Sequence, residues 1–315
     1  MPSSAVLSFS EPDDYVHSLR ETTAEVTITG RGHFAAELTR IELHRLWMNR
    51  SSATLPRVVH AATASGRATI LFGTKPGQDV VWAGIQVHPT AILRISEGDD
   101  AFFKTAGVAS WGSMSLPVEA MVLAGAAVSG CDVVPPRSTE SVTPPAAEMA
   151  RLQRLHAAVA QLAEDAPEIL AHPEAARGAE QSLVDAMVGC LGGAETGADR
   201  LAHQWHGLVM RRFWGALQDS PDQAVYIPDL CAAIGVSTRT LRVCCQEHLG
   251  MSPCKYLVLR RLHLARRALL RRGPASERVT DIAMQFGFWQ LGRFAVEYRS
   301  LFGESPSATL ARSPS

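Results

Sequence analysis

No stretch of this 315-residue chain runs for 18 uncharged apolar residues, which excludes an ordinary membrane-spanning helix. The opening residues, MPSSAVLSFSEPDDYV, lack the basic start and long apolar core of a secretory signal. A soluble, cytoplasmic protein with no membrane partner is therefore expected. The six cysteines stand at 131, 190, 231, 244, 245 and 254 with no CxxC pair among them, so a disulfide framework is not expected. Cys244, Cys245, His248 and Cys254 are close in sequence. Adjacent cysteines on a helix, however, point about 100° apart and do not readily share one ion. They read as reduced, buried thiols, since free cysteine is usually a small core residue.

Catalytic signatures are missing as well. There is no GxSxG elbow, no HExxH and no GxxxxGK[ST] loop. His33, His44, His60 and His88 lie too far apart in sequence for the closely spaced ligand set of a metal-binding barrel. Neither an enzyme, nor a cofactor, nor a metal site is expected from these residues.

What the chain does have is length, apolar content and an uneven charge. At 46% hydrophobic residues it can bury substantial cores and hold two domains. The net charge of -1 conceals an asymmetry. Residues 222–315 carry 13 Lys and Arg against seven Asp and Glu, and the remainder carries 17 against 24. A basic face at one end only points to a nucleic-acid partner there.

Punctuation divides the chain. The stretch 134–145, VPPRSTESVTPP, holds four prolines that rule out a helix or inner strand and reads as a linker, 135–146. Before it, β-branched and aromatic runs at Glu37–Met48, Ala68–Phe72, Val80–Val87 and Ala91–Ile95 predict a β-rich sandwich or barrel over 1–134. Trp47, Trp82 and Trp111 in this part read as core in preference to the lining of an effector pocket. After it, Met149, Leu152, Leu155, Val159 and Leu162 recur at helical spacing. That stripe suits a short dimer seam and packing within the same chain equally well. Further helices are expected near Glu180–Leu191 and Asp199–Gln218, making 147–205 a helical linker or dimerisation region.

The last third repeats itself. Shifted by 52 residues, Leu230-Cys-Ala-Ala-Ile-Gly-Val-Ser237 lies over Ile282-Ala-Met-Gln-Phe-Gly-Phe-Trp289. Each copy is a short helix with a small residue (Cys231, Ala283) and a glycine (Gly235, Gly287) suited to a left-handed turn. A second helix follows each, N-capped by Ser237 in the first copy. In that copy Leu241, Cys244 and Cys245 turn inward; in the other, Phe294 and Tyr298 do so while Gln290, Arg293 and Glu297 face out. Trp289 reads as a core aromatic. Between the copies, Tyr256–Leu270 forms one long helix that would hold two recognition helices about 34 Å apart, for successive major grooves on one face of DNA.

At these residues the chain resembles the DNA-binding domain of AraC/XylS-type transcription regulators. The resemblance covers 206–312 and rests on Leu230–Leu241, Leu249-Gly250-Met251-Ser252-Pro253, Tyr256, Arg261-Leu262, Ala265, Asp281-Ile282-Ala283, Gly287-Phe288, Arg293-Phe294, Tyr298, Phe302-Gly303 and Ser305-Pro306. It implies seven helices and an α+β multidomain chain: a β-rich, cupin-like sensor domain, a helical linker and an all-α domain with two helix-turn-helix motifs. Carried over by position, Thr238, Arg239 and Arg242 of the first recognition helix, and Gln290, Leu291 and Arg293 of the second, face base edges. Lys255, Arg266 and Arg271 are expected on phosphates. The implied partners are double-stranded DNA, RNA polymerase, a small-molecule effector and a second copy of the chain. A protein partner in place of the effector fits the same residues. Cys244-Cys245 and the run Trp289, Gln290, Gly292 depart from the usual pattern, so two unlike half-sites are expected.

Overall fold

The computed structural model describes residues 2–312 apart from 20–21, 64, 131–132, 193–194, 197–200, 222 and 272–277. Cys131, and Asp199 where a helix was expected to begin, lie outside the described residues. The first half is built from β1 (Ser3–Phe9), α1 (Pro12–His17), β2 (Thr22–Ile28), β3 (Ala36–Glu42), β4 (Trp47–Ala53), β5 (Arg57–Thr63) and β6 (Arg67–Gly73). It continues with β7 (Val80–Trp82), β8 (Ile85–Gln86), β9 (Ile92–Ile95), β10 (Asp100–Thr105), β11 (Ala109–Pro117) and α2 (Val118–Ser129). Then come β12 (Glu140–Thr143), α3 (Ala146–Asp165), α4 (Pro167–Ala171), α5 (Pro173–Gly192) and β13 (Glu195–Thr196). Seven helices follow: α6 (Leu201–Gln218), α7 (Ile227–Ile234), α8 (Thr238–Leu249), α9 (Pro253–Arg271), α10 (Val279–Gln285), α11 (Leu291–Phe302) and α12 (Pro306–Ala311). The β-rich, then helical, then all-α order is the architecture expected.

The strands form two antiparallel sheets, β1-β3-β4-β11-β6-β9-β12-β13 and β2-β5-β10-β7-β8. Two sequence expectations are corrected here. The run Glu37–Met48 is not one strand: it breaks at a turn where Leu43 N–H donates to Leu46 O at 3.0 Å, separating β3 from β4. The stretch expected as a linker contributes β12, whose Glu140 stands opposite Arg94 of β9 and pairs with it at 2.8 Å. Pro135, Pro136, Pro144 and Pro145 bracket that strand without entering it, so each ladder N–H survives.

Alternation along the strands sets the layers. Ile70, Phe72, Met114 and Leu116 leave the outer face of the large sheet and bury against Met149, Leu152 and Val159 of α3 and Leu183 and Met187 of α5. The apolar stripe of α3 is thus satisfied within its own chain. Gly112 makes the close approach possible, because a Cβ there would stand 2.7 Å from the Phe72 ring and 3.0 Å from His156 Cε1. His156, fully buried on α3, bonds Asn49 O through Nε2 at 3.1 Å, and burial pushes its pKa down to about 4. Residues of opposite parity, such as Leu71 and Trp111, point between the sheets.

The outer face of the small sheet is covered by the C-terminal helices. Val58 of β5 and Phe102 of β10 share one core with Phe213 and Trp214 of α6, Leu241 and Cys245 of α8, and Tyr256 of α9. The remainder of α9 belongs to another core with α10, α11 and α12.

Candidate nucleic-acid interface

Each helix-turn-helix unit follows from local chemistry. At the end of α7, Gly235 adopts φ 70°, the left-handed conformation that glycine takes at least cost, and turns the chain into α8. Ser237 caps that helix, its Oγ accepting from Thr240 N–H at 3.1 Å. Leu241, Cys244, Cys245 and Leu249 are buried, which leaves Thr238, Arg239 and Arg242 exposed on the other side. Among the described residues no hydrogen bond or ion pair engages the guanidinium of Arg239 or Arg242. Burial raises the Cys244 thiol to about 11, with Glu247 adding to the effect, and raises Cys245 further, so both are protonated packing groups.

The second unit uses the same turn and a different surface. Gly287 has φ 78°, with Ala224, Tyr226 and Arg261 close around the place a Cβ would occupy. Helix α11 starts one residue later than its counterpart would, at Leu291, and its N-cap Gln290 makes no side-chain cap. Phe294, Tyr298 and Leu301 are buried. Gln290, Leu291 and Arg293 are exposed, Arg293 pairing with Glu297 at 2.8 Å along the helix. Trp289 is 81% exposed, contrary to its expected place in the core. The aromatics buried around the turn are Phe286 and Phe288, and the indole stays outside their core. Arg261 of α9 joins the two units by lying over the rings of Tyr226 and Phe288, at 5.9 and 5.4 Å.

Of the three residues expected on phosphates, Lys255 and Arg271 are exposed on α9, Arg271 Nε donating to Arg267 O. Arg266 is placed otherwise. It is 12% exposed and bonds Glu304 at 2.5 Å and Glu11 at 2.9 Å. Burial alone would lower its pKa, but these carboxylates raise it, so the charge is held and already neutralised. Arg267 pairs with Asp13 at 2.8 Å, and Arg260 lies 3.6 Å from Glu25. Part of the basic excess of the C-terminal part therefore complements acidic residues of the first 25 positions. His263, on the same helix face, accepts from Ile28 N–H through Nε2 at 2.9 Å. Burial, with Arg267 nearby, pushes its pKa down to about 4.

A second candidate site lies between the sheets, a cavity of about 140 Å³. Trp47, Trp82 and Trp111, read from sequence as core, line it together with Phe103, Arg40 and Arg57. The indole N–H groups of Trp82 and Trp111 and the Nε of Arg57 are buried with no hydrogen-bond partner among the described residues. Such unsatisfied donors are costly in an apolar interior. Burial also lowers the pKa of Arg57.

Two helix-turn-helix units held by one connecting helix define a DNA-binding module, and known proteins agree. Residues 230–312 match the family model described as a helix-turn-helix domain. Over 98 residues the chain is 43% identical to the probable thc operon regulatory protein of Rhodococcus erythropolis, covering 31% of this chain and 30% of that one. It is 33% identical over 95 residues to the XylDLEGF operon transcriptional activator 2 of Pseudomonas putida, covering 30% of this chain and 60% of the relative. A solved probable AraC family transcriptional regulator from Rhodopseudomonas palustris is 34% identical, covering 34% of this chain and 98% of that chain, with a TM-score of 0.31. The C-terminal domain is thus a helix-turn-helix domain of the AraC/XylS type. The matches span less than two thirds of the length of these curated relatives.

Proposed function

We propose that this protein is a sequence-specific transcription regulator whose two recognition helices read successive major grooves and whose N-terminal domain takes a small-molecule effector. The observation that carries the reading is the pair of outward polar surfaces on α8 and α11, set at the two ends of one rigid helix. Arg239, Arg242 and Arg293 each offer the paired donors that match guanine O6 and N7, and Gln290 matches adenine N6 and N7. Thr238 and Leu291 complete the two surfaces, Leu291 through apolar contact. Lys255 and Arg271 contribute sequence-blind affinity to phosphates.

The cavity between the sheets supports effector control because of which strands form its wall. Along β5, Arg57, Val59 and Ala61 line the cavity, while Val58 packs into the core of the first helix-turn-helix unit and His60 stacks on Trp214 of α6 at 3.7 Å. Along β10, Phe103 faces the cavity and Phe102 faces α6 and α9. A ligand that moves these strands moves the packing of α6 and α8 by the same step. RNA polymerase and a second copy of the chain are the protein partners proposed.

The test is binding of the full chain to promoter fragments, native and with Arg239→Ala or Arg293→Ala. Each change is expected to weaken binding to the preferred site by roughly 1–3 kcal/mol and to relax preference at one position. Unchanged sequence preference in both variants overturns the assignment of readers. A metabolite that raises the melting temperature of the native chain but not of one with Trp82→Ala identifies the cavity as its site.

A further inference from the structure

Trp289 exposes a larger fraction of itself than any other large apolar side chain among the described residues. It directly precedes the N-cap of α11. On that helix Phe294, Tyr298 and Leu301 are buried, and the opposite face carries Arg293 and Val296, the latter 70% exposed. An exposed apolar side chain therefore stands directly before Gln290 and four residues before Arg293, the polar readers proposed for the second unit. The first unit has no counterpart: its equivalent of Trp289 is the capping Ser237.

Gly292 gives an independent indication. It is the second residue of α11, exposed, and a Cβ added to it would meet nothing within 4 Å. Neither a left-handed backbone nor packing inside the chain calls for glycine there, although glycine weakens a helix. A missing side chain that faces open space suits close approach by a surface from outside.

We propose that Trp289 is a base-reading residue, its indole packing on the C5-methyl of a thymine in the second half-site while Gly292 lets the backbone of α11 come close to the base edge. The inference rests on the DNA-binding reading above. Thymine is the base that presents an apolar group in the major groove, and an indole offers a broad apolar face to match it. Its position directly before Gln290 and four residues before Arg293 selects DNA over a protein as the occupant, because those neighbours carry the donors and acceptors that base edges complement. The three residues form one surface at the start of the recognition helix, the part of such a helix that enters the groove.

The full chain is first used to enrich duplexes from a random-sequence pool. Each thymine in the enriched second half-site is then replaced singly by uracil, which removes the methyl group and nothing else. For the native chain one position is expected at which uracil weakens binding about fourfold, equivalent to about 0.8 kcal/mol for one methyl group. In Trp289→Ala the same replacement should have no effect, while the melting temperature stays that of the native chain because the side chain is exposed. Gly292→Ala should keep or raise the melting temperature and still lose affinity for the duplex. If the native chain binds its duplex and no uracil position depends on Trp289, the proposal is overturned and the DNA-binding reading stands. If Trp289→Ala leaves every duplex affinity unchanged but abolishes binding of a protein, the tip is a protein-docking surface and the proposal is equally overturned. If no duplex is enriched, the DNA-binding reading itself falls and takes the proposal with it.

Discussion

The two helix-turn-helix units share a plan and differ in what stands behind them. The core of the first includes Val58 and Phe102 from the small sheet, so α6, α7 and α8 are packed as one body with the N-terminal domain. Among the described residues, the core of the second is made of residues from α9 to α12. It meets the N-terminal domain through charged and polar groups on α9: Arg266 with Glu11, Arg267 with Asp13, and His263 with the backbone of Ile28. An apolar joint is insensitive to salt and transmits displacement by contact, whereas a joint of ion pairs responds to ionic strength and pH. The fold thus couples its first helix-turn-helix unit to the N-terminal domain by packing and its second by electrostatics.

The strongest way to break that contrast is to remove the apolar joint. Phe102 sits edge-on to Trp214 and Tyr256 and is 2% exposed. Phe102→Ala is expected to cost about 3–5 kcal/mol. Hydrogen exchange should show the loss of protection in α8 and leave α11 nearly unchanged; equal loss in both helices would show that the two units unfold as one.

Acid should act on the other joint. His263 is neutral in the fold, where burial pushes its pKa down to about 4, and an unfolded imidazole titrates near 6.5. Between those values the unfolded chain binds more protons, so the stability present above about pH 6.5 is lost progressively as pH falls toward 4. The full loss is on the order of 3 kcal/mol for such a histidine. His156 carries a similar depression inside the N-terminal core, so two residues contribute to the slope. His263→Gln keeps an acceptor for Ile28 N–H and should flatten the fall of melting temperature between pH 7 and 5. An unaltered slope would locate the effect in His156 alone.

Which parts of this arrangement were legible in the sequence depends on how local their causes are. Gly235, Ser237 and Gly287 are readable because a left-handed turn and an N-cap are decided within a few residues. β5 was missed for the opposite reason. RVVHAAT is buried on both faces, with Arg57 and Val59 toward the cavity and Val58 and His60 toward the helices, so it shows no polar alternation. β11 hides its period because its cavity-facing positions hold Ser113 and Ser115 as well as Trp111. The charge asymmetry was visible, but its destination was not. Glu11, Asp13 and Glu25 are more than 230 residues from Arg260, Arg266 and Arg267, and nothing in sequence spacing pairs them. Trp289 was misplaced because an aromatic after Gly-Phe has the pattern of a core residue, and only the structure shows that Phe286 and Phe288 take the buried places while the indole stays outside.

A smaller effect is expected from the ion pairs themselves. Glu11→Gln removes one carboxylate from the partly buried pair with Arg266 and should cost roughly 1–2 kcal/mol. The change should raise hydrogen exchange in the second unit while sparing α8, and high salt should do the same to the native chain. If salt affects α8 and α11 alike, the division between an apolar and an electrostatic joint is wrong.

The smallest effect separates the two recognition helices at their first turns. Ser237 accepts from Thr240 N–H and satisfies one of the open donors of α8, so Ser237→Ala should cost about 1 kcal/mol. Gln290, although it aligns one residue after the equivalent of Ser237, is the N-cap of α11 and makes no side-chain cap, so Gln290→Ala should leave stability within about 0.5 kcal/mol of native. The two substitutions should then reverse their order in DNA binding, given the base contact proposed for Gln290 and the capping role of Ser237. A loss of stability in Gln290→Ala as large as in Ser237→Ala would mean that Gln290 also supports its helix, and that its side chain is not set aside for reading alone.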